Sequence, residues 1–174
     1  MNIKIILISA ALIGSQFVFA KEHHAAPPAS QELNFMTSLT GSWEGLNKMG
    51  SDKAELTRVT YKPTSGGTAV IETLAPDTSH EMTTMYHQSG NSMALTHYCS
   101  MGNQPYMKLK QATANSLSFE IVDEMGLQSK NEMHMHALKL TLKDSNTLVQ
   151  EWTNYVNGKA TPTTTLNFKR QQTK

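Results

Sequence analysis

Several things are scarce in this 174-residue sequence. There is one cysteine, Cys99, so no intramolecular disulfide can form. Charged residues are 17% and hydrophobic residues 39%, too apolar for a disordered chain and too polar for a multi-span membrane protein. Neither sign of charge is in excess. The 15 Lys and Arg are set against 14 Asp and Glu, which excludes the basic stripe that nucleic acid requires. The longest apolar stretch falls short of the ~20 residues of a membrane span. No Gly-rich phosphate-binding pattern occurs. The length makes one domain the default. What the chain has in quantity is methionine, eleven residues, and histidine, seven.

Residues 1–20 read as a signal peptide. Lys4 supplies the positive region, Ile5 to Ile13 the apolar core, and Gly14 and Ser15 break it. Val18 and Ala20 occupy the small-residue positions before a cut. Cleavage after Ala20 leaves Lys21 as the N-terminus and directs the mature chain to the periplasm or outside the cell. An uncleaved anchor is the alternative, which the short apolar core disfavours. No cysteine follows that core, so no lipid anchor is expected. Removing Lys4 leaves 14 basic against 14 acidic groups. Charge then gives no attraction to a membrane, and no stable insertion is expected after cleavage. Residues 21–31 (KEHHAAPPASQ) read as a flexible linker in which His23 and His24 are solvated.

Residues 32–174 behave as a single domain. The segment 32–39 has helical spacing, with Leu33, Met36 and Leu39 on one face. After it the pattern alternates with period two, broken by turn residues every eight to twelve positions. Strands are expected over 42–48, 54–62, 67–75, 80–88, 92–100, 105–112, 116–123, 133–143, 147–156 and 163–170. Gly90-Asn91 and Asn157-Gly158 suit two-residue hairpins. Asp144-Ser145-Asn146 suits a three-residue loop with Asn in the left-handed region. Consecutive hairpins predict an all-β, closed or nearly closed antiparallel up-and-down barrel of about eight to ten strands with a short N-terminal helix.

Alternation also assigns faces. Leu138, Leu140 and Leu142 share a face that must be buried, and His134 and His136 fall on it. The Gly90-Asn91 hairpin sets Tyr86 opposite Leu95, Thr84 opposite His97 and Met82 opposite Cys99. His80, Met82, Thr84 and Tyr86 should therefore point inward, with Met93, Leu95, His97 and Cys99. The other inward sets are Met107, Leu109 and Gln111; Leu117, Phe119, Ile121 and Asp123; and Leu166, Phe168 and Arg170. A three-residue loop at 144–146 puts Leu148, Gln150 and Trp152 inward. A two-residue loop would select Val149, Glu151 and Tyr155. One end of the interior is then apolar, while the other gathers His80, His97, Cys99, His134, His136 and Gln150.

Gly41-Ser42-Trp43 follows the helix and opens the first strand. It resembles the G-x-W signature of lipocalins and the wider calycin superfamily. That resemblance implies that Trp43 plugs one barrel end, with Arg170 of the last strand packed over it, and makes Gly41, Trp43 and Arg170 structural residues. The stretches SGGTAVIETL, HEMTTMYH, LTHYCSMGNQPYMKL, HMHALKLTL and QEWTNYVNGK are similar to exported bacterial DUF1579-type domains. This likeness implies a barrel without implying an activity. Nitrobindin-like barrels bind haem through one inward histidine, which makes haem a candidate here.

Three functions follow as expectations. The first is binding of a small, largely apolar ligand oriented by His80, Met82, Tyr86, His97, Cys99, Gln104, His134, His136, Gln150 and Trp152. The alternative is a haem, zinc or copper site on His97, His134 and His136, since imidazole and thiolate suit zinc or copper. The third is a hydrolase-like or isomerase-like enzyme. It would use Cys99 as nucleophile with His97 or His134 as base and Gln104 or Asn103 as orienting group. It could instead use Asp123, Glu72 or Glu151 with a histidine. Alternation places only Asp123 of these carboxylates inside. Methionine suits an adaptable apolar wall.

Overall fold

The computed structural model describes residues 29–49 and 52–172. The expected signal peptide and His23 and His24 lie outside these residues. The helix, α1, runs Gln31–Ser38 and is capped by Ser30, whose hydroxyl accepts from Leu33 N–H at 3.1 Å. It starts one residue earlier than the apolar spacing predicts, because the cap, and not the first apolar residue, sets the boundary.

The strands are β1 (Gly41–Asn47), β2 (Glu55–Thr64), β3 (Ala69–Leu74), β4 (Met82–Ser89), β5 (Ser92–Tyr98), β6 (Tyr106–Ala112), β7 (Ser116–Ile121), β8 (His134–Asp144), β9 (Thr147–Val156), β10 (Lys159–Ala160) and β11 (Thr164–Arg170). Each of β1 to β9 pairs antiparallel with the next, and β11 lies between β9 and β1. The circuit closes as an up-and-down barrel of ten strands, which leaves no long edge unpaired. The short β10 only extends the hairpin after β9. At that hairpin Asn157 and Gly158 take φ of 52° and 71°, the left-handed pair that Asn-Gly favours.

Where β1 meets β11 the backbones approach closely at Gly45, where a Cβ would lie 1.8 Å from Asn167 O. Asn47 bridges the same two strands. Its Oδ1 accepts from Asn167 N–H at 2.7 Å and its Nδ2 donates to Asn167 O at 3.2 Å.

The expected faces hold through most of the barrel. Met82, Thr84, Tyr86, Met93, Leu95, His97, Met107, Leu117, Phe119, Leu138, Leu140, Leu148, Gln150, Trp152, Leu166 and Phe168 are all buried. The departures have physical causes. The loop after β8 has two residues, since Asp144 pairs with Thr147. A bulge between Leu142 and Asp144 restores the register, so Leu148, Gln150 and Trp152 still point inward. Asn146 is not among the residues with positive φ. Its N–H instead donates to Asp144 Oδ1 at 2.8 Å. A bulge between Leu109 and Gln111 turns Gln111 out to solvent. Asp123 lies beyond the end of β7 in an exposed turn, at φ 48°. Glu72, expected outside, is fully buried.

One end of the barrel is plugged. The inner face of α1 buries Leu33, Phe35 and Met36 in the core, joined by the cap residue Leu39. Trp43 Nε1–H donates to Leu39 O at 2.8 Å. The Arg170 guanidinium lies 4.0 Å above the Trp43 ring. Arg170 also donates to Ser38 O, Thr40 O and Ser145 O at 2.8, 2.7 and 2.9 Å. The bonds to Ser38 O and Thr40 O satisfy carbonyls at the helix C-terminus, where a cation is favoured, and the bond to Ser145 O ties Arg170 to the turn between β8 and β9. Gly41 sits beneath the guanidinium at φ 117°, a conformation side chains rarely adopt.

Candidate functional site

The opposite end of the barrel holds a pocket of about 290 Å³. The ends of β3, β5 and β9 and the starts of β4, β8 and β11 supply its wall. Five of the eleven methionines line it: Met49, Met82, Met101, Met133 and Met135. Leu74, Leu166 and Trp152 complete the apolar surface, and His97, Cys99, Ser100, Asn154 and Thr164 supply polar atoms. His80 reaches the rim from an exposed turn before β4. It precedes the regular strand, so alternation does not govern it.

His97 forms part of the floor and is 1% exposed. Its ring packs on Trp152 with centroids 4.7 Å apart. Burial lowers its pKa from 6.5 to about 4, so the imidazole is neutral. Nδ1 lies 2.9 Å from Thr84 Oγ1, which is 3.4 Å from Glu72 Oε1. Glu72 Oε2 accepts from Tyr86 O–H at 2.9 Å and from Gln150 Nε2 at 3.1 Å. Gln150 Nε2 also donates to Tyr61 Oη at 2.6 Å, and Trp152 Nε1–H donates to Gln150 Oε1 at 2.9 Å. A buried polar network thus joins the barrel centre to the pocket floor.

Burial raises Glu72 from 4.5 to about 7, against the lowering effect of hydrogen bonds from Tyr61, Tyr86, Thr84 and Gln150. The ionised carboxylate accepts only. Thr84 then donates to Glu72 and accepts His97 Nδ1–H, which leaves a lone pair on Nε2. Nδ1 faces the network through Thr84, and Nε2 is on the opposite edge of a ring whose residue lines the pocket. Among the described residues Nε2 is buried without a hydrogen-bond partner, and so is Asn154 Oδ1 in the same pocket wall. An unmatched buried acceptor costs roughly 1–3 kcal/mol, which a ligand with a donor would recover.

The structure separates the expected histidines. His80, Met82, His97, Cys99 and Trp152 line the pocket. Tyr86 and Gln150 lie in the network below it. Gln104 is exposed and bonds Gly102 O at 3.0 Å.

His134, which is buried, and His136, which is half-buried, point to the outer side of the sheet with Tyr155 and not into the pocket. A bulge between Met135 and Ala137 reverses alternation there. Met135 turns into the pocket, while His136 stacks on Tyr155 at 3.6 Å and reaches Glu120 Oε1 at 3.7 Å. His134 Nε2 lies 3.2 Å from His136 Nδ1. Burial, then the neighbouring His134, lower the His136 pKa. His97, His134 and His136 therefore do not converge on one metal. Among the described residues, no group of three or more His, Cys, Asp or Glu is arranged to hold an ion. The pocket is also too small to enclose a haem.

Sequence reasoning named Glu72 as an acid–base candidate but placed it outside, and it missed Asn154. Glu72 pairs with Thr84 across β3 and β4. Its inward orientation was available only through that register, which the long 75–81 connection conceals. Asn154 follows from Trp152 by period two. The sequence matches no protein-family model, and no curated protein is significantly similar to it. The ten-strand antiparallel barrel is consistent with a lipocalin-like fold.

Proposed function

We propose that this barrel binds one small, largely apolar molecule at its open end, and that the molecule presents a hydrogen-bond donor to His97 Nε2. The observation that carries this reading is a pair of buried acceptors, His97 Nε2 and Asn154 Oδ1, without partners among the described residues in a wall of thioethers and Trp152. Ligand pockets pair an apolar wall with a few orienting polar groups. Methionine supplies a wall that adapts to shape, and the Glu72–Thr84 chain fixes which histidine nitrogen carries the lone pair. The volume of about 290 Å³ suits a molecule of two or three rings.

The reading includes export, since residues 1–20 carry the signal-peptide pattern, and a kinship with calycins and exported DUF1579-type domains through Gly41, Trp43 and Arg170. N-terminal sequencing of protein from a periplasmic extract should begin at Lys21. A start at Met1 would overturn the export reading.

The neutral amine N-phenyl-1-naphthylamine, with one N–H, tests the site. Its fluorescence should rise saturably with one molecule per chain. His97→Phe should weaken binding about tenfold, the equivalent of about 1.4 kcal/mol, and Leu166→Arg should abolish it. No saturable signal, or equal affinity in all three proteins, would overturn the reading.

A further inference from the structure

Met82 and Cys99 meet at the pocket floor. The hairpin of β4 and β5 sets them opposite one another, one residue beyond the last paired positions Thr83 and Tyr98. Their sulfurs are 3.9 Å apart. With metal–sulfur bonds of about 2.3 Å, that separation subtends a near-trigonal angle at a shared ion. His97 is the third donor residue of the set. It lies two residues before Cys99 on the same inner face, ~7 Å along the strand, and its unpartnered Nε2 belongs to the same pocket.

We infer that Met82 Sδ, Cys99 Sγ and His97 Nε2 form a three-coordinate site for a soft monovalent cation, Cu(I). Thioether and thiolate select Cu(I) over hard cations, while zinc prefers four ligands drawn from thiolate, imidazole and carboxylate. The pocket lining contains no carboxylate. Met101 and Met133 stand exposed at the mouth and Met49 and Met135 lie in the wall, a series of thioethers between solvent and floor. Hydrogen bonds from Ser100 and Met101 reach the Cys99 sulfur, while burial, the larger effect, pushes its thiol pKa up. On binding, the Cys99 thiol proton leaves to water as the Cu–S bond forms. Met82 and His97 donate lone pairs without losing a proton. No electron changes hands.

The site goes beyond the amine-donor reading, and the two fail separately. Amine fluorescence reports the apolar space, and a colorimetric chelator reports the sulfur pair. In the test, the full chain under anaerobic conditions competes with bicinchoninate for Cu(I). The expected result is withdrawal of one Cu(I) per chain, with at least tenfold weaker withdrawal for Cys99→Ser and for Met82→Leu. Replacing His23 and His24 by Ala should change nothing. Titration with Ag(I), a redox-inert surrogate, should move the ¹³C-methyl resonance of Met82 at one equivalent and leave the buried Met93 and Met107 in place. That readout needs no variant to fold. Absence of withdrawal would overturn the site. So would withdrawal unaffected by either sulfur substitution, or an Ag(I) shift confined to Met101 and Met133.

Discussion

The two ends of the barrel solve opposite problems with similar residue types. At the plugged end an aromatic ring and a cationic side chain leave no polar atom unmatched. Trp43 donates to Leu39 O, and Arg170 uses three N–H groups on three carbonyls. At the open end an aromatic ring, Trp152, also packs against a nitrogen heterocycle, His97, yet there Nε2 has no hydrogen-bond partner among the described residues. The first arrangement holds the fold together. The second leaves two buried acceptors, His97 Nε2 and Asn154 Oδ1, unmatched among the described residues, and the proposed ligand would use them. The polar network through Glu72 and Gln150 lies between them, and with Glu72 ionised its Thr84 link favours the Nδ1–H tautomer of His97.

The largest expected effect separates the two ends. Trp43→Ala removes the plug and should cost about 3–5 kcal/mol of stability by denaturant unfolding. Where the variant is still folded, amine binding should be unchanged. A matching loss of affinity would merge the two ends into one unit.

The network gives the next prediction, through pH. Burial raises Glu72 to about 7 from 4.5, so its contribution to stability is full below 4.5 and is lost as pH rises through 7. His97 runs the other way. With its pKa lowered to about 4 from 6.5, its contribution is full above 6.5 and is lost as pH falls through 4. The two slopes oppose one another between 4.5 and 6.5. Glu72→Gln removes the first, so the variant should gain about 3 kcal/mol relative to wild type between pH 4.5 and 8. Parallel unfolding profiles across that range would show that Glu72 does not titrate as a buried carboxyl. The same substitution supplies an amide N–H to Thr84. Thr84 then donates to His97 Nδ1 and moves the proton to Nε2, so amine binding should also fall.

Two smaller effects complete the contrast. Arg170→Met loses the cation–π contact and leaves three carbonyls to water. It should cost about 2 kcal/mol and leave the pocket unaltered. His97→Phe keeps the ring and its packing on Trp152. It should change stability by less than about 1.5 kcal/mol while weakening the amine about tenfold. If Arg170→Met weakened ligand binding more than His97→Phe, the division of labour between the ends would be wrong.

The plugged end was legible in the sequence because its signals are local. Gly41, Trp43 and the parity of Arg170 need no long-range register. The open end was legible only in part. His97, Cys99 and Met82 came from one tight hairpin, Gly90-Asn91, which fixes the register without knowledge of the rest. His134 and His136 were misplaced because a single bulge at 135–137 inverts every side chain beyond it, and a bulge has no mark in period-two alternation. Glu72, though named as a candidate, was placed outside because a charged residue between Ile71 and Thr73 reads as solvent-facing until its partners Tyr61, Thr84, Tyr86 and Gln150 on other strands are known. Met135 changed places with the histidines beside it, and it is part of the pocket wall.

The central claim is that neutral His97 holds its proton on Nδ1 and offers Nε2 to the pocket. Long-range ¹H–¹⁵N NMR of the imidazole tests it directly. With Glu72 ionised, at pH 8, the spectrum should show a protonated Nδ1 and an unprotonated Nε2. Adding N-phenyl-1-naphthylamine should shift Nε2 alone. Nε2–H as the major tautomer at that pH, or an imidazole that titrates near 6.5 as a solvated histidine does, would contradict the account.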